Sequence, residues 1–138
     1  GVAALLAGYR PDLSAMSLKA SILNNVDLLP QWQGVVKTGG RLNAAAVLAN
    51  PTVCTLGVSA DSFNVRTKGG IFTVDVSVPN NCDYSVKSDA VWLRVEGADN
   101  RSGAAKITFR VTVNSSTISR SGTINIGGRT INVVQTRN

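Results

Sequence analysis

The chain has 138 residues, 43% of them hydrophobic and 16% charged, with fourteen Lys and Arg against eight Asp and Glu for a net charge of +6. That is one domain's worth of polypeptide with enough apolar material for a core, which excludes both a multidomain assembly and a disordered chain. It holds no histidine, so a Ser/His/Asp triad, a Cys/His dyad, a His-ligated metal and an imidazole proton shuttle are excluded within it.

Residues 1–8 are apolar all round, the pattern of a helix buried on every side within a larger host. Opening on Gly1 with no initiator Met and no charged leader, the chain reads as an internal piece of a longer protein. Tyr9-Arg-Pro-Asp12 ends that helix, and Ser14 offers an N-cap to a second over 15–26, with Leu18, Ile22, Leu23 and Val26 on its apolar face. After a loop at 30–34 and a turn at 38–40, residues 42–49 predict a third short helix that Pro51 stops.

From residue 52 the apolar period changes from about 3.6 to 2. Phe63 and Val65 alternate, as do Phe72, Val74, Val76 and Val78, then Ile107, Phe109, Val111 and Val113, then Ile124 and Ile126. Turn signals separate them at 68–70, 79–81, 97–103, 114–116 and 127–128. The last is a two-residue hairpin loop suited to positive φ at both positions. The pattern predicts an α + β chain in two parts: helices over 1–50, then an immunoglobulin-like antiparallel sandwich of seven or eight strands over 51–138.

The basic residues are scattered, four against two acidic ones before residue 51 and ten against six after it. Without a basic stripe or interleaved aromatics, nucleic acid is not an expected partner. No apolar run approaches the roughly 20 residues of a membrane helix, so no membrane span is expected. Cys54 and Cys82 are too few for a four-cysteine zinc site and too far apart for a CxxC redox pair. They read best as a disulfide in an oxidising compartment, tying the first strand to a later one, with two buried thiols as the alternative. Asp89, Asp99 and Asn100 lack the spacing of a calcium loop and read as turn residues. No metal and no cofactor are expected.

Four segments of the first part resemble the C-terminal end of a subtilase catalytic domain. They are Gly1-Val-Ala-Ala-Leu-Leu6, Tyr9-Arg-Pro-Asp-Leu13, Ser17-Leu-Lys-Ala-Ser-Ile-Leu23 and Gly39-Gly-Arg-Leu-Asn43. The family's Gly-Thr-Ser nucleophile motif would lie upstream of Gly1, and its Asp and His earlier still. The resemblance therefore implies a subtilisin-like serine endopeptidase as parent and no catalytic residue in this chain.

The second part resembles a BACON domain, a bacterial β-sandwich found beside glycosidases and peptidases. The matching features are Cys54, Gly69-Gly70, Cys82-Asp-Tyr84, Val91-Trp92-Leu93, Gly103, Ile107-Thr-Phe109-Arg-Val111, Asn114, Arg120-Ser-Gly-Thr-Ile124 and Val134-Gln135. This resemblance implies an accessory module that binds glycan or a cell-surface protein, or serves as a spacer. The rival expectation is a free-standing carbohydrate-binding or adhesion module.

Sugar recognition needs an exposed aromatic face with polar groups beside it. Trp92 is the first candidate, though a Trp in Val-Trp-Leu-Arg-Val also suits a sandwich core. Tyr84 shares that ambiguity, while Trp32, beside Pro30 and two Gln, is a candidate platform in the first part. Arg120 reads as a ligand contact or, better, as a strand-to-strand ion pair. Phe63, Phe72 and Phe109 are in phase with aliphatic neighbours and are expected in the core. A secreted, extracellular or periplasmic location is expected. So is self-association through residues 1–50, whose apolar first helix has no covering sheet.

Overall fold

The structure is a computed structural model describing residues 1–137, which divide into two compact units. The first is Gly1–Thr55 with Val78–Cys82; the second is Leu56–Ser77 with the chain from Asp83 on. The first unit thus runs past residue 50, the expected end of the helical part, and takes in a loop from the β half.

In the first unit, α1 (Val2–Tyr9) and α2 (Ala15–Asn24) are followed by a short hairpin of β1 (Val26–Leu28) and β2 (Gly40–Leu42), then α3 (Ala44–Ala49). Ser14 caps α2 as its position implies, its Oγ accepting from Ser17 N at 3.1 Å. Asn43 caps α3, with Oδ1 accepting from Ala46 N at 2.9 Å. Its Nδ2 donates to Asp27 Oδ1 at 2.7 Å, and that bond, with Arg41 beside it, lowers the Asp27 pKa. The cap moves the start of α3 from 42 to 44, and Val26 falls in β1 rather than in α2.

Burial corrects two expectations. Only Leu6 of α1 is buried, and Tyr9 is 66% exposed, so the helix is not enclosed within the described residues. On α2 the buried positions are Ser17, Ala20 and Ser21, whereas Leu18, Ile22 and Leu23 are half-buried. The reason is a polar seam along that face. Ser17 Oγ accepts from Cys54 N at 3.0 Å, and Ser21 Oγ accepts from Thr52 N at 2.7 Å while donating to Ser17 O at 2.7 Å. One turn on, Asn24 Nδ2 donates to Asn80 O at 2.9 Å, and its Oδ1 accepts from Asn81 Nδ2 at 2.6 Å. Small side chains at 17, 20 and 21 bring the helix close enough to satisfy the backbone N–H groups of Thr52 and Cys54, and Asn24 reaches the carbonyl of Asn80, which no leucine there would do.

Cys54 and Cys82, 28 residues apart, are bridged with their Cα atoms 5.6 Å apart. Neither lies in a strand, and both belong to the first unit. The bridge therefore fastens the helical unit to its own loop and does not tie two strands together.

The second unit is a β-sandwich. One sheet orders β4 (Ser62–Val65), β11 (Arg129–Gln135), β10 (Arg120–Ile126), β6 (Asp83–Ser88) and β8 (Asn100–Ser102). The other orders β3 (Gly57–Val58), β5 (Gly70–Ser77), β9 (Ala105–Val111) and β7 (Leu93–Val95). That makes nine strands among the described residues instead of seven or eight, because β3 and β8 are too short to show alternation. The sandwich is also not wholly antiparallel. β4 pairs parallel to β11, with Phe63 opposite Val133 and Val65 opposite Gln135.

Alternate residues point inward as the period requires: Val74 and Val76 on β5, Ile107, Phe109 and Val111 on β9, Ile124 and Ile126 on β10, Ile131 and Val133 on β11. Phe63 from one sheet meets Phe72 and Phe109 from the other, centroids 5.8 and 5.1 Å away, so these three rings join the two layers. Gly127 and Gly128, at φ +54° and +88°, close the β10–β11 hairpin between Ile126 and Arg129.

Candidate functional site

The residues singled out for binding do not converge on one surface. Trp92 and Arg120 meet each other: the guanidinium carbon stands 4.5 Å from the centre of the indole ring. Arg120 Nε donates to Gln135 Oε1 at 2.8 Å, and its Nη2 donates to Thr112 O at 2.9 Å and Val113 O at 3.0 Å. The expected ion pair is thus replaced by amide and carbonyl oxygens and an aromatic face.

Gln135 is the hub of this clasp. It is 0% exposed, and its Nε2 donates to the carbonyls of Arg66, Thr67 and Thr112 at 3.2, 3.0 and 2.9 Å. Those carbonyls belong to the turns leaving β4 and β9, so one side chain gathers both sheets at one end of the sandwich. Asn114, also buried, extends the clasp by donating to Ile118 O and Thr136 O at 3.0 and 3.1 Å.

The remainder of the Arg-Ser-Gly-Thr segment has a packing role as well. A Cβ on Gly122 would stand 3.0 Å from Trp92 Cζ2 and 3.1 Å from Ala90 Cβ, so glycine gives the indole its place. Asp89 accepts from Thr123 N at 2.7 Å and Thr123 Oγ1 at 3.0 Å, bonds that lower its pKa. Its carboxylate is engaged by the strand and is not presented to a cation.

Tyr84 is 5% exposed on β6, directly across from Arg101 on β8, and burial raises its phenol pKa. Trp32 belongs to the first unit, in a 3-10 turn over Pro30–Trp32, and is 38% exposed. Among the described residues of the second unit, Tyr84 and Phe109 are buried and Phe63, Phe72 and Trp92 are half-buried, so none of the aromatic residues is freely exposed.

The two larger grooves on the sandwich are one of about 380 Å³ over Val86–Val91, Leu93–Val95 and Asp99 and one of about 660 Å³ between Gly57–Asp61 and Gly128–Thr130. Neither is aromatic-lined. The described residues contain no group of three His, Cys, Asp or Glu able to hold a metal ion, and no helix among them is long and apolar enough to cross a membrane.

Sequence reasoning named Trp92, Arg120 and Gln135 separately and had no signal that they touch. It missed the α2 seam, which the spacing of Ser17, Ser21 and Asn24 on one helical face does carry. Replacing Gln135 with leucine keeps the volume and deletes four hydrogen bonds, one to a charged group. Each carbonyl retains another donor, Gly69 N, Asn114 N or Arg120 Nη2, so the expected loss is about 2–3 kcal/mol in urea unfolding. A loss under about 0.5 kcal/mol would show the clasp to be dispensable.

Residues 55–137 match a family described as the viral BACON domain. No curated protein is significantly similar to the chain. Among solved structures, a GH5 xyloglucanase of Bacteroides ovatus in complex with a XXXG heptasaccharide shares 16% identity at a TM-score of 0.55, over 61% of this chain and 19% of that one. A protein from Bacteroides thetaiotaomicron solved by NMR shares 18% at 0.40, over 63% and 91%, and the S-layer protein rSbsC 18% at 0.41, over 63% and 13%. The chain thus spans about a fifth of the xyloglucanase, and at this identity the likeness is one of fold. The two-sheet sandwich and a family match over more than half of the chain lead to one assignment: this chain belongs to the viral BACON domain family.

Proposed function

We propose that the chain is a non-catalytic accessory part of a secreted subtilisin-like serine endopeptidase, with the sandwich serving as a spacer that sets the enzyme's distance from its surroundings. The observation that carries the spacer role is the fate of the aromatic side chains. Trp92 is half-buried and stacked on Arg120, Tyr84 is buried, and the three phenylalanines join the sheets, so the sandwich keeps no freely exposed ring for a pyranose. The peptidase parent rests on the resemblance of residues 1–43 to the end of a subtilase catalytic domain. The exposed apolar side chains of α1, Leu5 and Tyr9, suit a helix that the rest of such a domain covers, and in its absence they favour self-association. The disulfide supports an oxidising location, outside a cell, in a periplasm or on a particle surface.

A second reading, a free-standing binding or adhesion module, is favoured by one feature. The first unit is fastened by a disulfide and the α2 seam without needing a host. Titrating the ¹⁵N-labelled chain with xyloglucan and cello-oligosaccharides separates the two. The spacer predicts no saturable shifts up to about 10 mM, a level at which even weak complexes of millimolar Kd are seen. Saturable shifts around Trp92 or Trp32 would establish the binding module instead. No peptide or ester hydrolysis is expected from the chain in either case, since it has no His base.

A further inference from the structure

The outer face of the four-stranded sheet carries an arrangement that packing does not explain. On β7 and β9, Arg94 lies directly opposite Arg110. Side chains so placed stand about 4.5–5.5 Å apart at Cβ, and like charges there are unfavourable. One carboxylate relieves them: Glu96 Oε1 lies 3.2 Å from Arg110 Nη2. Arg94 is exposed and has no ion-pair or hydrogen-bond partner among the described residues. A cleft of about 260 Å³ opens between Arg94, Val95, Glu96 and Arg110. On the far side of Arg110, directly opposite it on β5, stands Ile71, 57% exposed.

Two arginines paired across a cleft, with one acid held by Arg110, leave an uncompensated positive charge and unused donors suited to an oxyanion. The neighbouring rungs restrict what can bring that oxyanion. Thr108 and Thr73 come next, then Lys106 and Asp75, already paired at 2.8 Å. A polyphosphate needs cations along its length, and here it would meet Glu96 and a neutral pair. An isolated anionic group beside an aliphatic and hydroxyl-bearing surface fits better. Beyond the spacer role, which rests on the lack of a ring for neutral sugars, we propose that Arg94 and Arg110 form an anion-binding site on this face, taking a single carboxylate or sulfate group of an acidic polysaccharide, with Ile71 beneath the sugar ring.

The site is tested on the full chain by ¹H–¹⁵N titration with oligogalacturonate, a sulfated dextran oligomer, neutral dextran and single-stranded DNA. Saturable, salt-sensitive shifts at Arg94, Val95, Glu96 and Arg110 are expected with the two acidic saccharides and not with neutral dextran. The tighter of the two names the anionic group. Arg94→Gln, at an exposed position, should leave the remaining spectrum unchanged and weaken binding about ten-fold. Glu96→Gln removes the competing acid and should tighten it about two- to five-fold. Absence of shifts with both acidic saccharides, equal affinity in Arg94→Gln, or tighter binding of DNA through the same residues would each overturn the proposal.

Discussion

Truncating Phe109 to alanine should destabilise the sandwich by about 3–5 kcal/mol, the range for deleting a fully buried aromatic side chain. Phe109 is 0% exposed on β9, which is flanked by β5 and β7, so the backbone around it is held on both sides and cannot collapse into the space left behind. Its ring also meets Phe72 at 5.6 Å and Phe63 at 5.1 Å between centroids, and Phe63 belongs to the opposite sheet. The loss therefore removes one of the two ring contacts that join the layers, the other being Phe63–Phe72, in addition to the transfer free energy of the ring. Leucine at this site refills most of the volume and should cost far less, about 1–1.5 kcal/mol. Urea unfolding followed by tryptophan fluorescence reads both, with the midpoint falling at constant m. A Phe109→Ala midpoint within about 1 kcal/mol of the parent would mean that the three rings are not the core of the sandwich.

That cluster was legible because its members are in phase with aliphatic neighbours on strands long enough to show a period. The same holds for the β10–β11 hairpin, where Gly127 and Gly128 announce the turn and fix the register. Pairing between distant segments leaves no such trace. β4 joins β11 in parallel across 70 residues, and β3 and β8, at two and three residues, are visible only through their partners. Helix α2 failed differently: its leucines and isoleucine present a plausible apolar face, and the competing face of Ser17, Ala20 and Ser21 wins because it satisfies backbone groups at 52–54. At the clasp the sequence displays Trp92, Arg120 and Gln135, but their shared use depends on three separate strand ends meeting. A stacked indole and an exposed platform have the same sequence; the guanidinium of Arg120 over the ring distinguishes them.

Removing the disulfide, by Cys54→Ser with Cys82→Ser, should cost about 2–5 kcal/mol, and the cost should fall on the first unit. The reason lies in how little else holds that unit. Its helices have eight, ten and six residues, lengths at which an isolated helix is marginal in water. Its buried apolar residues are Leu6, Ala20, Val47 and Cys82 of the bridge, a small core beside the thirteen of the sandwich. What remains is the seam from α2 to residues 52–54 and 80–81, a set of hydrogen bonds each worth about 1 kcal/mol only while the loop is kept near the helix. The bridge closes that loop, and without it the entropy of holding Val78–Cys82 against α2 is no longer offset. Hydrogen exchange then separates the units. Amides of α2 and α3 should lose most of their protection in the double variant, while Val74, Ile107, Phe109 and Ile124 exchange as slowly as before. Protection of α2 unchanged by the substitution, or an equal loss in β9 and β10, would show that the bridge acts on the whole chain and that the helical unit does not depend on it.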